Sequence, residues 1–359
     1  MRRVLLVIML MVSLGVQAED SLRSVRQPKK ESWLKRTLRG FTYIDTNYVE
    51  PQHYNWSVML QGTYNYDFYR LGTRGDNRQS ITFAPTPTMK VGPYFGWRWL
   101  FFGYTWDVRQ VEVSKNSQTI DFSFYSAQIG ADIHYRHTGS DYKIRDVKLG
   151  SGINTDVLED VPFDGISVGI TGANIYYIFN HKRFSYPAAF NQSTCQKISC
   201  GSWMAGLGYL HNTLEFDHQK LERLIEQRLP NQNVRLDSAL MFKEVTYLDI
   251  SASVGYAYNW VFARNWLFGA SLSLALAYKQ TKSVADESIL NVDGKGFKIS
   301  NINFDGIGRF GLVWNDTRWY AGASAIIRAY NYSKDRFAAN NIFGNLNIYV
   351  GYNFGRRKK

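Results

Sequence analysis

Residues 247–278 read YLDISASVGYAYNWVFARNWLFGASLSLALAY. In the first half, Leu248, Ile250, Ala252, Val254, Tyr256 and Tyr258 alternate with Asp249, Ser251, Ser253, Gly255 and Asn259. In the second half, Phe268, Ala270, Leu272, Leu274, Leu276 and Tyr278 alternate with Gly269, Ser271, Ser273, Ala275 and Ala277. Successive side chains of a strand point to opposite faces, so each half is a strand with one apolar and one small or polar face. Phe262-Ala263-Arg264-Asn265 between them is short enough for a tight turn.

The same period appears at both ends of the chain. In 57–68, Val58, Leu60, Gly62, Tyr64, Tyr66 and Phe68 alternate with Ser57, Met59, Gln61, Thr63, Asn65 and Asp67. In 345–354, Leu346, Ile348, Val350, Tyr352 and Phe354 alternate with Asn345, Asn347, Tyr349, Gly351 and Asn353. These runs last about 10 to 14 residues, against about 5–6 for an ordinary globular strand and 9–11 for a tilted strand crossing a bilayer. They tend to end in aromatics, such as Trp260, Tyr278, Trp314, Trp319 and Phe354, as interfacial girdles do. The alternative is a soluble sandwich or lipocalin-like barrel, with the apolar face turned inward.

Composition agrees. The 359 residues include 24 Tyr, 22 Phe and 10 Trp, which excludes intrinsic disorder, while 2 Cys exclude a disulfide-framework miniprotein. Arg2 and Arg3, the apolar run Val4 to Val12 and Val16-Gln17-Ala18 form a secretory signal over 1–18, cleaved between Ala18 and Glu19. Export makes nucleic acid an implausible partner for the net charge of +12. Residues 19–54 form a basic periplasmic segment in which Arg23, Arg26, Lys29, Lys30, Lys35, Arg36 and Arg39 face only Glu31 nearby. It either hangs free or lies against headgroups or inside a lumen. A short basic tail, 356–359, ends the chain.

The expected fold is all-β: a closed antiparallel transmembrane β-barrel of the bacterial outer-membrane type over 55–355. Twelve strands are expected, at 56–70, 79–95, 99–112, 119–136, 165–181, 182–190, 200–214, 245–261, 265–281, 297–315, 317–332 and 342–354. Splitting 119–136 near Ser126 and adding a strand at 234–242 gives fourteen. Closure follows because every backbone group in lipid must be paired within the protein. Short turns (95–98, 262–265, 315–318) fall on the periplasmic side, and longer polar loops (71–78, 282–296, 333–341) outside.

Asp67, Asp107, Asp249, Lys279, Asp305, Arg309 and Arg328 alternate out of phase with the apolar set, so they are expected to face the lumen. Either they line a weakly selective pore or they pair across a narrow lumen and plug it. Cys195 and Cys200 are expected to form one small disulfide loop. His134 falls on the inner face with Asp132 and Gly130, but no nucleophile elbow or HExxH accompanies it. No cofactor or metal is expected.

The stretch Ala173-Asn174-Ile175-Tyr176-Tyr177-Ile178-Phe179-Asn180-His181-Lys182-Arg183-Phe184-Ser185-Tyr186, with Ala188-Ala189-Phe190 and Cys200-Gly201-Ser202-Trp203, resembles the domain-of-unknown-function family 4421. Asp45-Thr46-Asn47-Tyr48-Val49-Glu50-Pro51 and Gly255-Tyr256-Ala257-Tyr258-Asn259 add to that likeness, which spans roughly 40–354. The resemblance implies an outer-membrane-type barrel of Bacteroidota-type bacteria with no assigned activity and no catalytic residues to transfer. The expected role is passage of small polar solutes, and the chain is expected not to be an enzyme. The alternatives are a closed interaction barrel that binds a protein partner through its long loops, and a hydrolase of lipid or glycan. Outer-membrane lipid and the barrel-assembly machinery are the expected general partners.

Overall fold

A computed structural model describes residues 44–74, 78–97, 100–103, 106–108, 118–138, 141–230, 232, 234–285 and 298–356. At 88, 100–103, 107, 118–119, 121 and 282–285 only the backbone is described. The expected signal, its Ala18–Glu19 cleavage point, most of the basic segment and residues 357–359 lie outside these residues.

The strands in chain order are β1 (Val49–Pro51), β2 (Tyr54–Thr73), β3 (Ser80–Pro85), β4 (Thr88–Trp97), β5 (Leu100–Gly103), β6 (Trp106–Asp107), β7 (Gln118–Tyr125), β8 (Ile129–His137) and β9 (Tyr142–Lys148). They continue with β10 (Pro162–Phe163), β11 (Ile166–Ile178), β12 (Thr194–Gln196), β13 (Cys200–Phe216), β14 (Glu244–Ala263), β15 (Trp266–Ala285), β16 (Ile302–Asn315), β17 (Trp319–Lys334) and β18 (Phe337–Arg356). Two helices interrupt them, α1 (Tyr186–Phe190) and α2 (His218–Arg228).

Sixteen strands form one sheet, with β1 and β12 as a separate pair. Its order is β10-β9-β3-β2-β18-β17-β16-β15-β14-β13-β11-β8-β7, and β4 branches from β2 to carry β5 and β6. Every pairing between described strands is antiparallel. The hairpin read first pairs from Glu244↔Ala285 to Ala263↔Trp266.

Its faces settle the choice left by the sequence. Leu272 and Leu274 are each 59% exposed, whereas Lys279 is 1% exposed. The apolar face points out and the charged face is buried, the reverse of a soluble sandwich. The sheet also curls. Arg309 on β16 bonds Asp132 on β8, five ladder steps away. In a flat sheet those strands would stand about 24 Å apart at ~4.8 Å per step.

Several expectations are corrected. The ladder does not close into a ring among the described residues; 109–117, which join β6 to β7, lie outside them. Residues 182–190 are not a strand. Ser185 caps α1 by accepting from the Ala188 amide, and Pro187 stands in its first turn, where its fixed φ favours a helix. Residues 119–136 are split at Ser126, as the fourteen-strand alternative required, but 234–242 holds only a short 3-10 turn. Pro85 and Pro87 divide 79–95 into β3 and β4, because neither can donate to the ladder. The expected loop 333–341 is a tight hairpin, with Asp335 in the left-handed region at φ 51°.

One turn is strained. Thr317 has φ 78°, a region unfavourable for a β-branched residue. Its amide is held by Asn315 Oδ1 at 2.8 Å, while Asp316 Oδ1 accepts from the Arg318 amide at 2.9 Å and the Trp319 amide at 2.6 Å. Thr317→Gly should therefore stabilise the folded chain by about 1 kcal/mol. A urea-unfolding midpoint that falls instead would show that the threonine is not strained there.

Candidate functional site

The buried face of the sheet carries charges at mid-height. Asp67 (β2), Asp132 and Arg136 (β8), Asp249 (β14), Lys279 (β15), Asp305 and Arg309 (β16) and Arg328 (β17) are all buried. Arg136 bonds Asp67 at 3.3 Å, and Lys279 sits between Asp249 at 3.1 Å and Asp305 at 2.9 Å. Arg309 bonds Asp132, which also accepts from Ser123 Oγ at 2.6 Å and Tyr125 Oη at 3.3 Å. Arg328 has no carboxylate within ion-pair distance among the described residues. Asp107 is placed on β6 by its backbone alone, and its side chain is outside the described set. The sequence reading did not single out Asp132 and Arg136 as charges of this set. The signal was available, since 132, 134 and 136 alternate with Ile133, Tyr135 and His137.

Beyond the charges, toward the ends of β13 and β14 that α2 joins, lies an apolar core. The two excursions 138–165 and 217–243 supply much of it. Leu221 and Ile225, one turn apart on α2, pack in one cluster with Phe83, Phe163, Phe216 and Phe242. The second excursion reaches strands far from its own. Gln79 Nε2 donates to the Arg235 carbonyl and Gln79 Oε1 accepts from the Asp237 amide, both at 2.8 Å. The rings of Phe242 and Phe337 lie 5.1 Å apart, edge to face. β9 meanwhile pairs with β3.

The opposite end is filled by 179–199, the connection from β11 to β13. Asn259 Nδ2 donates to the Ser185 carbonyl at 2.7 Å, and Gln192 Nε2 to Tyr349 Oη at 2.7 Å. Arg309 Nη1 donates to Tyr186 Oη at 2.9 Å, so the charged layer grips α1 directly. Two glycines make room for it. A Cβ on Gly269 would stand 2.5 Å from Ala189 Cβ, and one on Gly311 2.7 Å from the Ala189 carbonyl oxygen. β12 of this segment pairs with β1.

Between these layers remains a cavity of about 30 Å³, bordered by Asp132, Asn174, Ser251, Ser253, Ser273 and Arg309. A groove of about 840 Å³ lies instead at the rim of β8, β11, β13 and β14, lined by His137, Ser167, Glu215, His218, Lys220 and Glu244. Glu215 and Glu244 stand directly opposite each other in the ladder. His134 lies in the interior against Tyr330 and Phe343, and neither ring nitrogen has a hydrogen-bond partner. No triad is assembled on it among the described residues.

The expected Cys195–Cys200 disulfide is absent, and both thiols are free. The two residues belong to different elements. Cys195 faces Glu50 in the β1–β12 pair, and its Sγ lies 3.9 Å from the Asn315 carbonyl oxygen. Cys200 opens β13 opposite Asn259 and accepts from Asn180 Nδ2 at 3.2 Å. Burial pushes the Cys195 thiol up to about 12, so it stays protonated and unreactive at neutral pH.

A family model described as Domain of unknown function (DUF4421) matches residues 43–354. No curated protein matches. Among solved structures, the chain is similar to the outer membrane protease OmpT of Escherichia coli at 9% identity, covering 84% of this chain and 97% of that one, with a TM-score of 0.36. It is also similar to the toluene transporter TodX of Pseudomonas putida at 8% identity, covering 84% and 91%, with a TM-score of 0.25. An outer membrane channel of P. putida F1 matches at 7% identity, covering 85% and 97%, with a TM-score of 0.27. Such likeness transfers no activity. It does overturn the expectation that the chain is not an enzyme, because the similar outer-membrane proteins include a protease.

Two outcomes are expected. Arg309→Met leaves Asp132 buried without its partner and should lower the unfolding free energy by about 3–5 kcal/mol. Adding Asp132→Asn should recover most of that loss, and a double variant no better than the single would refute the pairing. Thiol titration of protein unfolded in acid without reductant should find both cysteines free.

Proposed function

We propose that this chain, which belongs to the DUF4421 family, is an outer-membrane β-barrel protein whose lumen is packed shut and which acts through its outward rim. In this reading β3 and β4 form one stave and β5 and β6 another. With β2, β7, β8, β11 and β13 to β18 they make twelve staves, closed between β6 and β7. Outward residues on β14 run from Ile250 to Trp260. At ~3.4 Å per residue and a tilt of about 45° they span about 24 Å, close to the apolar band of such barrels. Trp56, Trp203, Trp260, Trp266 and Trp319 are exposed near the tight turns and supply one aromatic girdle. That end, where β2 begins and β18 ends, faces the periplasm. Lipid covers the apolar face, the assembly machinery inserts it, and the eight charges face the lumen.

The observation that carries the closed reading is the apolar core built into the barrel mouth by 138–165 and 217–243. Opening a path would expose Phe163, Phe216, Leu221, Ile225 and Phe242 to water, at about 1.5–3 kcal/mol for each side chain. Seven of the eight charges below them are tied to one another rather than left to line a pore. The exposed feature is the rim groove, which offers carboxylates, imidazoles and lysines to a small polar ligand or a protein surface.

The test is electrical. Refolded protein inserted in a planar bilayer should show no steady conductance. Steady single-channel currents from protein shown to be folded would overturn the closed reading and restore passage of small polar solutes.

A further inference from the structure

The outward side of β2 changes character at its far end. Tyr64 and Phe68 are exposed and face Leu346 and Ile342, also exposed, on β18. Beyond them the same face becomes polar and basic. Arg70 follows Phe68 in phase and faces Asn340 on β18 and Thr82 on β3. Thr73 and Gln79 close the β2–β3 loop: the Thr73 amide donates to the Gln79 carbonyl at 2.8 Å, and the Gln79 amide to Thr73 Oγ1 at 2.9 Å. Arg74 and Arg78 therefore stand side by side at the base of that loop, in phase with Arg70. The Arg74 amide donates to the Arg336 carbonyl at 2.7 Å, which sets the β17–β18 hairpin against them. On the other flank Ser80 faces Lys148 of β9 and accepts from Arg70 Nη2 at 3.0 Å.

Arg70, Arg74, Arg78, Lys148 and Arg336 are all exposed. Among the described residues only Arg336 has a carboxylate within ion-pair distance, that of Asp237. Asp146, opposite Thr82, and Asp335, in the hairpin, lie near in the ladder but pair with none of the five. The positions between Arg70 and the loop arginines are small: Ala338, Gly72 and Ser80, side by side on β18, β2 and β3. Arg70 and Arg74 are four residues apart, about 13 Å along a strand. Long cationic side chains thus stand around a floor of short ones on three neighbouring strands. Elsewhere on the rim the charge has the other sign. The groove between β8 and β14 carries Asp164, Glu215, Asp217 and Glu244, and its Lys220 is already held by Asp164.

We propose that Arg70, Arg74 and Arg78, flanked by Lys148 and Arg336, dock the phosphorylated headgroup of an outer-leaflet lipid whose acyl chains lie on Tyr64, Phe68, Ile342 and Leu346. The inference rests on the outer-membrane reading above and is independent of whether the lumen is shut. A guanidinium fork matches phosphate oxygens in geometry and keeps its charge at any physiological pH. Each basic residue close to an anionic membrane surface adds to the attraction. Placement selects a lipid over a soluble anion. The cations begin where the apolar face of the same strand ends, so a ligand that carries both chains and phosphate satisfies both. A free phosphate or an acidic glycan would use the cations and gain nothing from Phe68 and Ile342.

The experiment is native mass spectrometry of the full refolded chain in detergent, titrated with monophosphoryl lipid A and with the same lipid after its phosphate is removed. The phosphorylated form should bind more tightly. Arg70→Ala combined with Arg74→Ala should weaken its binding roughly fivefold for each arginine removed. Arg223→Ala combined with Arg228→Ala on α2, an equal loss of charge, should leave it unchanged. Equal affinity for the two lipids, or undiminished binding by the Arg70 and Arg74 double variant, overturns the proposal. So does displacement of the lipid by inorganic phosphate but not by chloride at equal ionic strength, which would assign the arginines to a soluble anion. If that double variant does not fold, the comparison of the two lipids and the phosphate competition decide by themselves. Flotation with phosphatidylcholine vesicles separates the two levels of the argument. A chain that inserts there without preferring phosphate refutes this site alone, and one that does not insert refutes the outer-membrane reading and the site with it.

Discussion

The contact between Arg309 and Asp132 holds the interior together. It joins β16 to β8 across the curled sheet, and neither group could be buried without the other. Asp132 is oriented from its own side by Ser123 and Tyr125 of β7. Arg309 Nη1 donates to Tyr186 Oη of α1. One ion pair thus connects the sheet's curl, the seating of β7 and the position of the segment that fills one end. The other pairs differ in reach: Lys279 links three adjacent strands, and Asp67 with Arg136 joins β2 to β8, eight ladder steps apart.

The interior changes character along the strand direction. A charged layer at mid-height separates an apolar core at the α2 end from the hydrogen-bonded segment at the other. The apolar core is held by burial, which is non-directional and additive in area. The segment 179–199 is held by single bonds to Asn259, Tyr349 and Arg309, together with the close approach that Gly269 and Gly311 permit. The two ends therefore differ in what would loosen them. The first resists anything short of exposing aromatic side chains, and the second depends on a few amide and hydroxyl groups.

The sheet was legible because period two is written twice, in the exposed leucines and aromatics and in the small or charged residues between them. Leu272, Leu274 and Leu276 point out, and Lys279 and Asp305 point in, as the alternation requires. The interior inserts were not legible for the same reason. Phe184, Tyr186, Ala188 and Phe190 also alternate, so 182–190 imitates a strand. Only Ser185 and Pro187 carry the helix signal, and they act over a single turn. The cysteine spacing suggested a ring, but sequence separation says nothing about strand membership. Cys195 pairs toward β1 while Cys200 begins β13. Asp132 was placed on the inner face with His134, and Arg136 shares that phase, but which carboxylate each arginine meets is not written in the alternation.

Which charges pair is a property of the curl and not of the alternation. Period two places Arg309 and Arg328 on the same face and treats them alike. Only the three-dimensional arrangement separates them. Arg309 meets a carboxylate from β8, while Arg328, one strand over, lies against the Phe343 ring. The same sequence signal therefore covers a brace across the curl and a cation seated against an aromatic ring.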